Sequence, residues 1–327
     1  MRESIPSWQK ILAQGFTASS ELLAFLNLPP SLSNPSAEKK FRTRVPRGFA
    51  ARMQPGNRFD PLLLQVLAVD DELQTMDGFV MDPLAEATAN PMNGLIRKYH
   101  GRVLLTVTGA CAVNCRYCFR RHFPYHENNP GREGWQPVID HINHDSSIHE
   151  VILSGGDPLL ATDPLLGALF AQLATIPHLR TLRIHTRFPV VLPERITDDF
   201  IHLLSTTPLK TVMVLHSNHA QELDDQVLQA CLALRQAGCL LLNQSVLLAG
   251  INDNAKTLVE LSERLFTCGV LPYYLHVLDK VSGAAHFDVS IKKASEIFQA
   301  MQTLLPGYLV PRLAREEPGK QHKTLII

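Results

Sequence analysis

Three of the chain's six cysteines, Cys111, Cys115 and Cys118, fall within eight residues in the stretch TGACAVNCRYCFRR, spaced C-x3-C-x2-C. Thiolates at this pitch can wrap one face of a small metal cluster. A structural zinc ion takes four protein ligands, and no fourth cysteine or paired histidine stands close by. A four-iron, four-sulfur (4Fe–4S) cluster held by three cysteines instead keeps one iron open, where a small molecule can be bound and reduced. Tyr117, just before the last cysteine, completes the pattern C-x3-C-x-aromatic-C. Three core thiols that fall together by chance are the alternative, since buried cysteines are common. This register, after a strand-like run and before Arg120 and Arg121, favours the cluster.

Other polar groups fall at the ends of apolar runs. Ser154-Gly155-Gly156-Asp157-Pro158 offers two glycines, which let backbone approach a ligand closely, and a carboxylate that could accept from an ammonium. A simple strand-to-helix turn is the plainer reading. His185-Thr186-Arg187 ends a third run, and Arg187 either contacts a ligand or caps the rim. Asn243, Gln244 and Ser245 lie within an apolar run and need partners if buried. Asp279 follows His276-Val277-Leu278, with Lys280 beside it as a possible exposed ion pair. His141, His144 and His149 fit a solvent-facing helix and loop better than a metal site. The PGK near the end is no phosphate loop: Ala314 stands at the first glycine position and Gln321 at the Ser/Thr position.

These residues need a scaffold. A chain of 327 residues, 45% apolar and 19% charged, has ample material for a core. Lys plus Arg balances Asp plus Glu at 31 each, so bulk charge gives no pointer to nucleic acid or a membrane surface. No signal peptide or membrane span is expected from the apolar runs, and Cys231, Cys239 and Cys268 read as buried thiols. A reduced, cytoplasmic protein fits this pattern.

Residues 1–95 read as a mainly helical and irregular extension. A helix capped by Ser19 or Ser20 runs through Leu26, and a second piece covers 37–44 before Val45-Pro46. From about residue 100, strand-like runs at 103–108, 150–153, 181–185, 211–216, 240–247 and 271–278 alternate with helical segments. The latter are near 132–143, 164–174, 193–204, 224–237, 255–266 and 292–304. Asp163, Thr197 and Asn254 sit at or near helix starts, Gly238 and Gly269 at helix ends. Six strand-then-helix units predict an α/β fold with a parallel sheet: an incomplete (β/α)6 barrel over 96–307, with a C-terminal strand and tail over 308–327.

The cysteine motif resembles that of the radical S-adenosylmethionine (SAM) enzymes, which share this partial barrel. There the open iron chelates the amino and carboxylate groups of SAM, the aromatic at Tyr117 lies near the adenine, and Gly155, Gly156 and Asp157 match the element holding the methionine amino group. Arg187 would meet SAM's carboxylate or ribose. NQSVLLAGIND, together with SGGDPL, HTR and the two arginines after the cysteines, is similar to the lysine 2,3-aminomutase family, which uses SAM with pyridoxal phosphate (PLP). That likeness runs from about residue 95 to 323.

The resemblance implies further roles. Lys323, followed by Thr324, takes the position of the lysine that forms the Schiff base with PLP, with Lys320 a rival three residues earlier in a stretch lacking most of the family's glycines. Lys98, Arg102 and Gln244 match the phosphate ligands, Lys98 standing where an arginine is usual. Arg120 holds the substrate carboxylate, and Asp279 with Glu316 holds the distal ammonium, Glu316 replacing an aspartate. The implied substrate is L-lysine, whose amino group migrates from C2 to C3 after hydrogen abstraction, and an electron donor must reduce the cluster. VLHSNHAQEL, YLHVLDKVSGAAHF, YLVPRLARE and a chain ending four residues after Lys323 resemble the bacterial branch making (R)-β-lysine. In that branch a ligase attaches the product to elongation factor P. A 2,3-aminomutase acting on glutamate or another amino acid, or a non-catalytic iron–sulfur electron carrier, are the other readings.

Overall fold

The computed structural model describes residues 7–125 and 134–326. One mixed sheet of nine strands runs in chain order: β1 Leu95–Ile96, β2 Arg102–Thr108, β3 Glu150–Gly155, β4 Thr181–Thr186, β5 Lys210–His216, β6 Leu240–Val246, β7 Leu271–His276, β8 Arg312–Arg315 and β9 Thr324–Leu325. Strands β2 to β8 pair in parallel, each with the next; β1 and β9 add antiparallel edges.

The helices are α1 Trp8–Ala13, α2 Ser19–Phe25, α3 Pro35–Lys40, α4 Arg47–Ala50, α5 Pro61–Leu64, α6 Trp135–His144, α7 Asp163–Ala174, α8 Phe188–Val191, α9 Asp198–Thr206, α10 Asp225–Gln236, α11 Ala255–Thr267 and α12 Ile291–Leu304. Helices α6 to α12 fill the crossovers that parallel neighbours require. Helix α11 shows why: Leu258, Leu261 and Leu265 bury one stripe on the sheet. Asn254 caps its start by accepting from Thr257 N at 2.9 Å, and Gly269, at φ 71°, follows its end. None of the described helices is long and apolar enough to cross a membrane.

Several boundaries differ from the sequence reading. Ser19 lies inside α2, where its hydroxyl meets that of Thr43 at 2.8 Å, and Ala18 takes the cap position. The piece expected at 37–44 is α3, starting earlier because Asn34 accepts from Ser36 N and Ala37 N ahead of Pro35, and ending at Lys40. The segment at 193–204 splits into a 3-10 turn, Pro193–Arg195, and α9, because Thr197 leaves helical geometry to cap α9. Strands β1 and β9, of two residues each, carry too little pattern to be read from sequence.

The lead-in shares the core of the sheet. Trp8, Leu22, Phe49 and Leu62 belong to the same buried cluster as Leu153, Ile184 and Leu215. The Trp8 ring stands edge-on to Phe188 at 5.8 Å, and Arg195 covers its face. This packing brings Gln65, Glu72 and Glu86 to the strand ends.

Candidate active site

A cavity of about 340 Å³ opens at the carboxyl ends of the parallel strands. Cys111, Cys115, Cys118, Tyr117, Arg120, Gly155, Gly156, Asp157, Arg187, Lys98, Arg102, Gln244, Asp279, Glu316 and Lys323 all line it.

At one side the chain leaves β2 through an irregular step between Thr106 and Thr108 and enters the cysteine loop. The glycines fix this loop against β3. Gly155 has φ 112°, and a Cβ on Gly156 would stand 2.3 Å from the Ala110 carbonyl oxygen. The close approach they permit is thus to the chain's own residues 108–110, ahead of Cys111. Among the described residues no three His, Cys, Asp or Glu side chains converge to chelate one metal ion. A four-iron cluster takes one thiolate per iron, so its ligands stand apart around a space, and all three thiols line this cavity. Burial and the neighbouring Cys118, Asp157 and Cys115 push the Cys111 thiol well up, and burial pushes Cys118 to about 11. Bare thiolates are disfavoured here, and iron supplies the positive charge that reverses this. The residues therefore fit such a cluster.

Arg187, at the end of β4, ties the loop to the lead-in. Its Nη1 donates to Cys115 Sγ at 2.7 Å, and its Nη2 to Gln65 Oε1 at 2.6 Å and Glu222 Oε2 at 2.9 Å. Asn218 Nδ2 donates to Tyr117 Oη at 2.7 Å and to Gln65 Oε1 at 3.0 Å. Asp157 is used internally: it accepts from Thr186 Oγ1 at 2.6 Å, Arg187 N at 2.7 Å and Leu159 N at 3.1 Å. Burial raises it to about 6 despite these donors. Arg121 meets Glu72 at 2.6 Å beside the fully buried Arg116–Glu72 pair, a structural network.

From Arg120 a chain of alternating charges crosses the cavity. Arg120 Nε and Nη2 donate to the two oxygens of Glu86 at 2.7 and 2.8 Å, and Nη1 to Ser154 Oγ at 3.0 Å. Lys98 Nζ stands 3.0 Å from Glu86 Oε1 and 2.8 Å from Glu316 Oε1. Glu316 Oε2 in turn accepts from Lys323 Nζ at 2.7 Å. Burial would raise both carboxyls, but the cations hold Glu86 below its ordinary range and Glu316 at about 2.

Among the described residues Asp279 joins this end without a cation of its own: burial and Glu316 lift it to about 7, while Lys280 turns away over Phe79. Lys323 Nζ also lies 5.7 Å from the Tyr274 ring, whereas Lys320 is exposed and does not line the cavity. Among the described residues Arg102 has no paired carboxylate and packs on Tyr99; Lys98 is neutralised by two. Gln244 contacts His216 Nε2 at 2.8 Å. Burial holds His216 and His276 neutral, each near about 3. The set fits PLP: a lysine amine in a cavity, with a free guanidinium and an amide as donors for a phosphate.

Sequence reasoning missed Gln65, Glu86, Asn218 and Glu222. Glu86 and Gln65 lie in the lead-in, where no motif marks them. His141, His144 and His149 stand apart from the cavity, His144 and His149 bonding to carbonyls of their own segment.

Known proteins resemble this chain in sequence. Residues 100–178 match a family model described as a 4Fe-4S single cluster domain. The chain is 50% identical over 321 residues to an L-lysine 2,3-aminomutase of Haemophilus influenzae, covering 98% of this chain and 95% of that protein. It is likewise 50% identical over 320 residues to the L-lysine 2,3-aminomutase of Escherichia coli, with 97% and 93% covered. Among solved structures it is similar to a radical SAM methyltransferase from Sphaerobacter thermophilus, with TM-score 0.48, 16% identity and 68% of each chain covered.

Proposed function

The chain belongs to the radical SAM L-lysine 2,3-aminomutase family, and from that premise we propose that it converts L-lysine to (R)-β-lysine with a 4Fe–4S cluster, SAM and PLP. When bound, the reduced cluster and SAM supply a hydrogen-abstracting radical, and PLP supplies spin delocalisation at the migrating nitrogen.

The chain's own residues bind and orient. Cys111, Cys115 and Cys118 hold the cluster, with Arg187 donating beside Cys115. Tyr117 and the Gly155–Gly156 backbone flank SAM, while Asp157 fixes Thr186 and Arg187. Arg102 and Gln244 would hold the PLP phosphate, with Lys98 turned to Glu86 and Glu316, and Lys323 would supply the amine that holds the ring. Arg120 takes the substrate carboxylate; Asp279 and Glu316 take the ammonium at the far end. A lysine ammonium there would supply Asp279 with the cation it lacks among the described residues, which a glutamate carboxylate cannot.

The observation that carries this reading is the single cavity joining the cysteine trio to Lys323 through the chain Arg120–Glu86–Lys98–Glu316. An electron carrier has no use for that arrangement. Product use in elongation factor P modification, through a separate β-lysine ligase, is part of the proposal and is supported by the resemblance of the strand-end segments. The test is anaerobic turnover with reconstituted cluster, reductant, SAM, PLP and L-lysine. β-Lysine from lysine, none from glutamate and none from Cys115→Ala is expected. Cleavage of SAM without β-lysine would overturn the substrate assignment, and no cleavage by an intact cluster would overturn the enzyme reading.

A further inference from the structure

We propose that Glu86 is a built-in stand-in for the substrate's α-carboxylate, carried on a strap that an incoming amino acid displaces from Arg120. The inference rests on the reading of Arg120 as the carboxylate anchor. The edge of a guanidinium that grips a carboxylate is its paired N–H fork. In Arg120 that fork is already filled by both oxygens of Glu86, and Nη1 is turned to Ser154 and Gly155. An amino acid can use the same fork only if Glu86 leaves it.

The surroundings equip Glu86 to leave. Its side chain is 3% exposed, and Lys98 Nζ at 3.0 Å is a second cation, so release from Arg120 does not orphan a buried carboxylate. The residue before it, Ala85, sits at φ 49°, ψ 43°, a left-handed conformation that residues with a side chain rarely hold. The strap is pinned on either side of Glu86: Val80 N donates to Lys280 O and Ser282 N to Val80 O, both at 2.9 Å, and Ala89 O accepts from Arg97 N at 2.9 Å before Leu95 enters β1. The first pin adjoins Asp279. Carboxylate capture at Arg120 therefore moves a segment attached beside the group that receives the substrate's ammonium.

The test is calorimetric binding of L-lysine and of 1,5-diaminopentane, which is lysine without its carboxylate. It uses holoenzyme loaded with cluster, SAM and PLP and given no reductant. Glu86→Gln removes the competing charge and should tighten lysine about tenfold while changing 1,5-diaminopentane less than about twofold. In the wild type, amide hydrogen exchange over residues 82–92 should rise on adding lysine and not on adding the diamine, a readout that needs no variant. Weaker lysine binding by Glu86→Gln, or slower exchange in the strap with lysine, would overturn the proposal and make Glu86 a fixed support of Arg120. Equal affinity of Glu86→Gln for lysine and the diamine would instead show that Arg120 anchors no carboxylate. That outcome removes the underlying reading and the strap with it.

Discussion

Lys323 Nζ and Glu316 Oε2 stand 2.7 Å apart, and the other oxygen of that carboxylate holds Lys98 at 2.8 Å. One carboxylate thus aims two lysines into the cavity, seven residues before one of them and from the opposite end of the strand order to the other. Strand β9, which starts at Thr324, pairs with β8 and holds Lys323 in place.

This pairing distinguishes Lys323 from Lys320. Lys323→Ala should lose PLP on desalting, whereas Lys320→Ala should retain it. The check is PLP absorbance after gel filtration, with borohydride trapping and peptide mass to locate the bound residue. Retention by Lys323→Ala together with loss in Lys320→Ala would reverse the assignment.

Asp279 makes the ligand-free chain sensitive to pH. Burial, then Glu316, raises its carboxyl to about 7, with Lys323 and Lys98 opposing. A carboxyl raised on folding is protonated in the folded chain while ionised in the unfolded one. Its unfavourable contribution is therefore absent below the ordinary carboxylate range and complete above about pH 7. Asp279→Asn should raise the melting temperature of the ligand-free protein near about pH 8 and leave it nearly unchanged near about pH 4. An equal gain at both would show that Asp279 carries no burial penalty.

The strands were legible because their apolar runs and the turns between them recur without interruption; β2 to β7 lie within two residues of the expected ends. The three cysteines were legible because one short loop supplies them. Glu86 was not: its role arises from Arg120, 34 residues away, and no local pattern distinguishes a buried glutamate from a solvated one. Gln65 and Glu222 share this origin, meeting Arg187 from segments 122 and 35 residues distant. Asp157 was legible as a site residue, but its carboxylate faces Thr186 and the Arg187 amide, which sequence spacing does not disclose.

Arg187 and Glu222 form a buried pair whose members should be tested together. Arg187→Met leaves the Glu222 carboxylate buried with only backbone and amide donors, a loss of about 3–5 kcal/mol. Arg187→Met with Glu222→Gln should recover much of it, because the orphaned charge is gone. Chemical denaturation of the four proteins gives the coupling. Additive losses would show that the two side chains act independently.

Gly156 separates the shape of the cysteine loop from its thiols. A methyl on this residue would meet the carbonyl oxygen of Ala110 at 2.3 Å and its backbone nitrogen at 2.7 Å. Backbone cannot swing aside as a side-chain tip can, so Ala110 must move and Cys111 with it. The hydrogen bond from Asp157 N to Ala110 O at 2.9 Å would be strained by the same shift. Gly156→Ala should cost about 1–3 kcal/mol by overpacking. It should also bind clearly less iron after reconstitution, although all three cysteines remain. Gly238→Ala is the control: φ there is 84°, so alanine is strained, but no atom lies within 4 Å of the added methyl. Both variants should melt earlier than the wild type, and only Gly156→Ala should lose iron per chain. Full iron content in Gly156→Ala would mean that the loop reaches the cluster geometry without this contact, leaving the glycine as a packing residue alone.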